Sequence, residues 1–255
     1  VECHETDYPL YPKKQQEEHM HTPFTDTYDK QFLLETMMGP NAMRIAEELT
    51  SFMSLTKGMR VLDLGCGMGI SSILLAEKFG VTVYAADLWI SPTDNHLRFD
   101  SLGLSDKIIP LSVDVTKGLP FAQGYFDAII SIDAYHYFGC NEDMLPYLLQ
   151  FVKKNGHIGI AVCGVQDTFP QDSIPEEMQP YWQPEMNFYP PSWWRSLWSR
   201  EPNMCLQHCR AMDCERQAWS EWLQSPNPYA QRDIPMMEAE GGKYFSLTQL
   251  IGQKA

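Results

Sequence analysis

The run Val61-Leu62-Asp63-Leu64-Gly65-Cys66-Gly67-Met68-Gly69 constrains this chain more than any other stretch of it. A short apolar strand leads into three glycines at alternate positions, and a helical pattern, Ile70 to Phe79, follows at once. Glycine permits positive φ and lets the backbone approach a ligand closely. A helix that starts there offers unpaired N–H groups and a partial positive charge. Asp87 closes the next strand, where an acid accepts hydrogen bonds from both hydroxyls of a ribose. Strand, turn, helix, strand and acid together describe a site for an adenosine-containing cofactor at the carboxyl ends of a parallel sheet.

The rest of the chain continues that alternation. Strands are expected at Arg60–Leu64, Val81–Ala86, Ile108–Val113, Phe126–Ile132 and His157–Val162, with helices at Ile70–Phe79, Pro92–Leu102 (capped by Ser91) and Met144–Val152. Parallel strands need crossover connections, so the β-α-β-α order predicts an α/β fold: a doubly wound, mostly parallel, seven-stranded Rossmann-like sheet with helices on both faces. Upstream, a helix from Tyr28 to about Met38 ends at Gly39-Pro40, because proline disfavours helix in the residue before it. Asn41 suits the N-cap of a second helix, Ala42–Ser54, whose apolar residues recur at helical spacing. Beyond Val165 the texture changes to Pro, acid and aromatics, with a short helix at Trp193–Ser199, a strand at Met204–Arg210, a helix at Ala211–Gln224 and a last strand at Lys243–Ile251. The expected organisation is an N-terminal arm or lid over 1–40 and one domain over 41–255, with an irregular insertion at about 166–200 that joins the arm in capping the sheet.

With 255 residues and 44% hydrophobic composition, the chain can build a sizeable core without a metal or disulfide staple. Seven cysteines, an odd number, fit free thiols in a reducing compartment. The polar opening segment has no signal-peptide core and no apolar run reaches membrane-spanning length, so a cytoplasmic location is expected. The net charge of -14, from 19 basic and 33 acidic residues, argues against nucleic acid and anionic membranes as partners.

A dinucleotide fingerprint reads G-x-G-x-x-G/A. Here Gly69 comes one residue early and Ile70 takes the third glycine's place. Asp63, just before the turn, also suits an ammonium group better than a pyrophosphate. The motif D-L-G-C-G-M-G, followed by an acid closing the next strand, resembles the class I S-adenosylmethionine-dependent methyltransferases. The resemblance covers about Met38 to Cys163. Within it, GMRVLDLGCGMGISSILLAEKFGVTVYAADLW and FDAIISIDAYHYFG are similar to bacterial small-molecule methyltransferases of the cyclopropane-fatty-acid-synthase-like or ubiquinone-pathway-like kind.

That resemblance implies S-adenosylmethionine as cofactor and S-adenosylhomocysteine as product. It implies that Gly65, Cys66, Gly67 and Gly69 pass under the cofactor with Asp63 near its amino group. Asp87 would hold the ribose, Leu88 and Trp89 would flank the adenine, Asp114 would meet the adenine amino group with Val115 beside it, and Ser131 to Asp133 would lie by the methionine part. His136, just past the fourth strand, becomes the candidate general base, with Tyr137 beside it. Tyr135, Tyr137, Trp182, Trp193, Trp194 and Trp198 form an aromatic-rich set on the expected acceptor side, suited to a cation–π box or to plain packing. Tyr28 and Met38 are expected to face the site from a mobile lid over residues 20–41. His19 with His21, and Cys205, His208, Cys209 and Cys214, match no common zinc spacing, so no metal is expected.

The expected function is therefore methyl transfer to a small molecule, with amine nitrogen ahead of sulfur, oxygen or carbon as acceptor, and a homodimer is the expected assembly. Cyclopropane-synthase-like lipid modification and a non-catalytic S-adenosylmethionine-binding module are the alternatives. An NAD-dependent dehydrogenase is disfavoured by the glycine spacing.

Overall fold

The computed structural model describes residues 22–169 and 173–255. Among them, β1 (Arg60–Leu64), β2 (Thr82–Asp87), β3 (Ile108–Ser112), β4 (Phe126–Ile132), β5 (Val152–Val165), β6 (Met204–Ala211) and β7 (Phe245–Lys254) form one sheet in the order β3-β2-β1-β4-β5-β7-β6. The first five strands run parallel, while β7 pairs antiparallel with both β5 and β6. The expected doubly wound, mostly parallel sheet is what the chain forms.

The helices are α1 (Phe24–Thr27), α2 (Lys30–Thr36), α3 (Ala42–Ser51), α4 (Ile70–Phe79), α5 (Pro92–Ser101), α6 (Met144–Leu149), α7 (Pro191–Trp198), α8 (Glu215–Trp222) and α9 (Pro228–Glu240). Strand side chains alternate between two cores, as a period of two requires. Val61, Val83, Ile130 and Ala161 face a core shared with α3, α4 and α8. Leu62, Leu64, Ile129 and Ile160 face a second core built with α6 and α7, where Trp194 and Trp198, one turn apart, are fully buried.

Several expectations shift at their edges. The helix expected at Tyr28–Met38 shortens to α2, because Asp29 caps it, accepting from the Phe32 N–H at 2.6 Å, and α1 precedes the expected span. The sixth helix stops at Leu149, and β5 runs from Val152 to Val165, five residues before and three past its expected span, with His157 to Val165 paired to β7. β6 runs on to Ala211, so α8 starts only at Glu215. α9 was not expected: Pro228 and Pro235 obscure its pattern, yet Asn227 caps its start and Gly241, at φ 59°, ends it.

The segment expected to be a lid is fastened at both ends. Glu47 of α3 accepts from the Phe24 N–H (2.7 Å), the Thr25 N–H (2.9 Å) and the Thr25 hydroxyl (2.7 Å), and pairs with Lys78 at 2.7 Å. Burial would raise its carboxyl, but the Lys78 ammonium and these donors outweigh it and hold the group at about 2. Arg44 bridges Asp26 (2.5 Å) and Glu221 of α8 (2.6 Å). At the far end, the Ser225 hydroxyl donates to the Leu34 carbonyl at 2.6 Å and the Asn227 amide to that of Met37 at 3.2 Å. These ties hold Thr36 to Pro40 against the carboxyl ends of the central strands. No helix among the described residues is long and apolar enough to cross a membrane.

Candidate active site

The glycine turn and the ends of β2, β3 and β4 open onto a cavity of about 390 Å³, a volume in the range of small-molecule sites. The turn is shaped by backbone that only glycine adopts readily: Gly65, Gly67 and Gly69 have φ of 78°, 55° and 84°. A side chain on Gly65 would overlap Ala134, and one on Gly69 would overlap the Phe99 ring. Two residues that sequence reasoning did not single out brace the turn from α5. The buried Asn95 amide donates to the Gly67 carbonyl at 2.9 Å, and the Arg98 guanidinium donates to the Met68 carbonyl at 3.3 Å and to the Asn95 side chain. The only signal for them is their spacing of one helical turn behind the Ser91 cap.

Asp87 closes the turn from the other side. One oxygen accepts from the Gly67 N–H at 2.8 Å, and the other accepts from the Trp89 and Ile90 N–H groups at 2.8 and 2.9 Å. The first oxygen keeps a lone pair for a ligand hydroxyl. Leu88 and Trp89, both exposed, continue the wall. Asp114 and Val115 stand across the cavity. Asp114 accepts from the Thr116 hydroxyl (2.5 Å) and N–H (3.0 Å) and pairs with Lys117 at 3.0 Å, which lowers its carboxyl below the usual range.

Cys66, Met38 and Tyr137 also line the cavity, as does Asp133, in the left-handed region at φ 52°. Burial pushes the Asp133 carboxyl up to about 6, against the donors of Cys163, with the nearby Asp233 charge adding to the rise. Thr36, Gly39 and Pro40, from the segment expected to cover the site, also stand on the wall, together with Ala134, Phe138 and Thr116, which the sequence did not single out.

Other candidates stand elsewhere. Asp63 is fully buried beneath the turn and outside the wall, because β1 directs it at α4, where the Ser71 and Ser72 hydroxyls donate to one oxygen at 2.6 Å each. Its other oxygen has no partner in the described structure. Ser131 is equally buried, its hydroxyl donating to the Leu64 carbonyl at 2.7 Å, and so ties β4 to β1 and does not face the cavity. His136 is 2% exposed and lies outside the cavity wall. Asn187 and Phe188 cover it, with the Phe188 ring centroid 6.1 Å from the imidazole and the Asn187 amide donating to the His136 carbonyl at 3.1 Å. Burial pushes its imidazole down to about 4, so it is neutral but has no access to a cavity-bound acceptor.

The aromatic box is corrected in the same way. Tyr135, Trp194 and Trp198 pack on one another in the core, Trp193 stacks on Tyr189 at 3.8 Å, and Trp182 lies between Phe169 and Phe188. The aromatic wall consists of Trp89, Tyr137 and Phe138, with Trp89 and Tyr137 edge to face at 5.8 Å. Tyr28 packs between Phe24 and Phe32, and burial, with Glu77 nearby, pushes its hydroxyl up to about 12. His19 and His21 lie outside the described residues.

Burial raises Asp63 to about 6, and its two serine donors offset only part of that rise. A carboxyl raised on folding contributes stability that is present below its unfolded value near 3.8 and lost as pH rises through about 6. Asp63→Asn keeps an oxygen for both serines and removes that loss. The variant is expected to melt with a smaller stability difference between pH 4 and pH 7 than the parent, as read by scanning calorimetry across that range. An unchanged difference would mean that Asp63 is not the titrating group.

The cavity fits S-adenosylmethionine on its own chemistry. Among the described residues its ionic lining groups are Asp87, Asp114 and Asp133, with no Lys, Arg or His beside them. That set repels a pyrophosphate and accommodates a sulfonium and an ammonium. Gly65 and Gly67 would let the backbone approach such a ligand closely, and Asp87, Asp114 and Val115 line the same cavity.

Residues 61–156 match a family model described as a methyltransferase domain. Methyltransferase GfsG of Streptomyces halstedii is 30% identical over 132 residues, 49% of this chain and 45% of that protein. The 2-methyl-6-phytyl-1,4-hydroquinone methyltransferase of Synechocystis is 33% identical over 114 residues, 45% of this chain and 35% of its own. The matched stretch thus spans less than half of either relative. An 18S rRNA (guanine-N(7))-methyltransferase of Schizosaccharomyces pombe also matches, 38% identical over 29% of this chain and 26% of that one. Among solved structures, geranyl diphosphate C-methyltransferase from Streptomyces coelicolor superposes with a TM-score of 0.66 at 15% identity, covering 83% of this chain and 77% of that one. Glycine turn, strand order and these likenesses agree: residues 61–156 are similar to a methyltransferase domain, and the sheet has the fold of solved methyltransferases.

Proposed function

We propose that this chain transfers the methyl group of S-adenosylmethionine to a small-molecule acceptor, with amine nitrogen as the first acceptor atom and sulfur, oxygen or carbon behind it. The observation that carries this reading is one continuous cavity. It runs from Asp87 and Asp114, past the glycine turn, to Asp133, Tyr137 and Phe138. The cofactor supplies an activated methyl group. Bound there, it would give that methyl to an acceptor lone pair in line with the C–S bond, whose electron pair would return to sulfur. The chain contributes alignment: a braced turn under one reactant and a wall around the other.

Among the described residues no histidine stands on that wall, so no imidazole base is assigned; an acceptor amine must meet the methyl carbon as its free base, and the product ammonium then sheds a proton to solvent. The net charge of -14 favours a small cationic or neutral acceptor over the polyanionic RNA on which the Schizosaccharomyces pombe relative is named as acting.

Calorimetric titration tests the cofactor: S-adenosylmethionine and S-adenosylhomocysteine should bind with micromolar affinity and NAD should not bind. Release of S-adenosylhomocysteine with a panel of amines, thiols, phenols, acyl lipids and short RNA then tests the acceptor. Turnover confined to the RNA or lipid members would overturn the small-molecule reading.

A further inference from the structure

The three carboxylates of the cavity wall differ in how far the protein already satisfies them. Asp87 accepts from three backbone N–H groups. Asp114 accepts from the Thr116 hydroxyl and N–H and pairs with Lys117. Asp133 has only the Cys163 donors behind it. It stands at the end of β4 on the side of β5, across the glycine turn from the β2 and β3 ends that carry Asp87 and Asp114.

Its surroundings keep it available and supply it with no cation. Gly39 lies directly against it: a Cβ there would come within 2.5 Å of one carboxylate oxygen, so a side chain at that position would cover the group. The titratable neighbours are the Cys163 thiol of β5, the Asp233 carboxyl of α9 and the Tyr137 hydroxyl, and none of them is a cation. Asp233 is held in place by the Trp222 indole N–H at 2.8 Å. The rest of this end of the cavity is apolar or aromatic, with Met38, Phe138 and Tyr137. A half-buried carboxylate with no protein cation gains most from a ligand that brings one, because a charge-assisted hydrogen bond is about twice as strong as a neutral one.

Resting on the methyl-transfer reading above, we propose that Asp133 is the specificity-determining residue of this site, accepting N–H hydrogen bonds from an acceptor that is an amine carried on an apolar or aromatic body. The carboxylate holds the nitrogen, and Met38, Tyr137 and Phe138 receive the body.

The test uses the full chain saturated with S-adenosylhomocysteine and two matched probes, 2-phenylethylamine and the uncharged 2-phenylethanol, titrated calorimetrically into the parent and into Asp133→Asn. Asparagine tolerates a positive φ, so the turn is retained in the variant, and a melting curve checks this. At pH 8 the parent is expected to bind the amine at least about ten times more tightly than the alcohol, a ratio that falls to about two in the variant. S-adenosylhomocysteine affinity should stay within about threefold, and amine binding by the parent should weaken from pH 7 to pH 5 as Asp133 protonates. Equal affinity for the two probes, or no amine binding by a chain that does bind S-adenosylhomocysteine, would overturn the assignment and leave the cofactor reading intact. A tenfold loss of S-adenosylhomocysteine affinity in the variant would overturn it differently, by placing Asp133 on the methionine ammonium. Failure of the parent to bind S-adenosylhomocysteine would remove the methyl-transfer reading itself.

Discussion

Asp87→Ala is expected to weaken S-adenosylhomocysteine binding by about a hundredfold or more. The carboxylate does two things at once. One oxygen holds the Gly67 N–H at 2.8 Å and so fixes the height of the glycine turn, while its remaining lone pair faces the cavity. Hydrogen bonds to a charged group contribute about 1.5–3 kcal/mol each, so losing one ribose contact together with the Gly67 N–H contact that fixes the turn amounts to roughly 3–6 kcal/mol, and each 1.4 kcal/mol is a factor of ten. Asp87→Asn, which keeps one acceptor oxygen, should fall between variant and parent. Calorimetry on the three proteins measures the series; a change under about threefold in the alanine variant would remove Asp87 from the cofactor site.

The second large effect is on the fold. Gly69→Ala places a methyl group into the Phe99 ring, which is fully buried on α5, and asks alanine to adopt a φ of 84°. The left-handed backbone costs about 1–2 kcal/mol and overpacking a further 1–3 kcal/mol or so. For a domain of this size each kcal/mol shifts Tm by about 2–4 °C, giving a fall of roughly 5–15 °C. Gly103 separates the two causes. Its φ is 69°, but a Cβ there would meet nothing within 4 Å. Gly103→Ala should therefore show only the backbone part of the loss. Equal falls for the two variants would mean that contact with Phe99 contributes nothing.

The parts of this fold that were legible in the sequence are those where one residue type has one physical use. Gly65, Gly67 and Gly69 need positive φ, Asp87 closes a strand beside them, and Asn41 and Ser91 cap helices where such residues should. What the sequence hid depends on direction, which periodicity does not report past the end of a strand. Ser131 and Asp133 are two positions apart yet one bonds back to β1 and the other lines the cavity, because the chain turns into the left-handed region at Asp133. His136 looked accessible because nothing local said that Phe188 and Asn187, some fifty positions later, would cover it. The tryptophans misled for the opposite reason: large aromatics gain most from full burial, and Trp194 and Trp198 are completely buried. α9 was missed because two prolines outweighed a good cap at each end.

The strand order also bears on how the molecule is made. β6 has one neighbour in the sheet, β7, and β7 is also the partner that completes the outer edge of β5. A ribosome delivers residues in sequence, so the apolar outer edge of β5, and the whole of β6, emerge without a partner and wait while α8 and α9 are synthesised. During that interval the nascent chain already holds its glycine turn, Asp87 and Asp133, yet exposes an open strand edge of the kind that pairs with other chains. The vulnerable period in this protein's life is therefore set by the stretch between β6 and β7, and a holding chaperone would be most useful there.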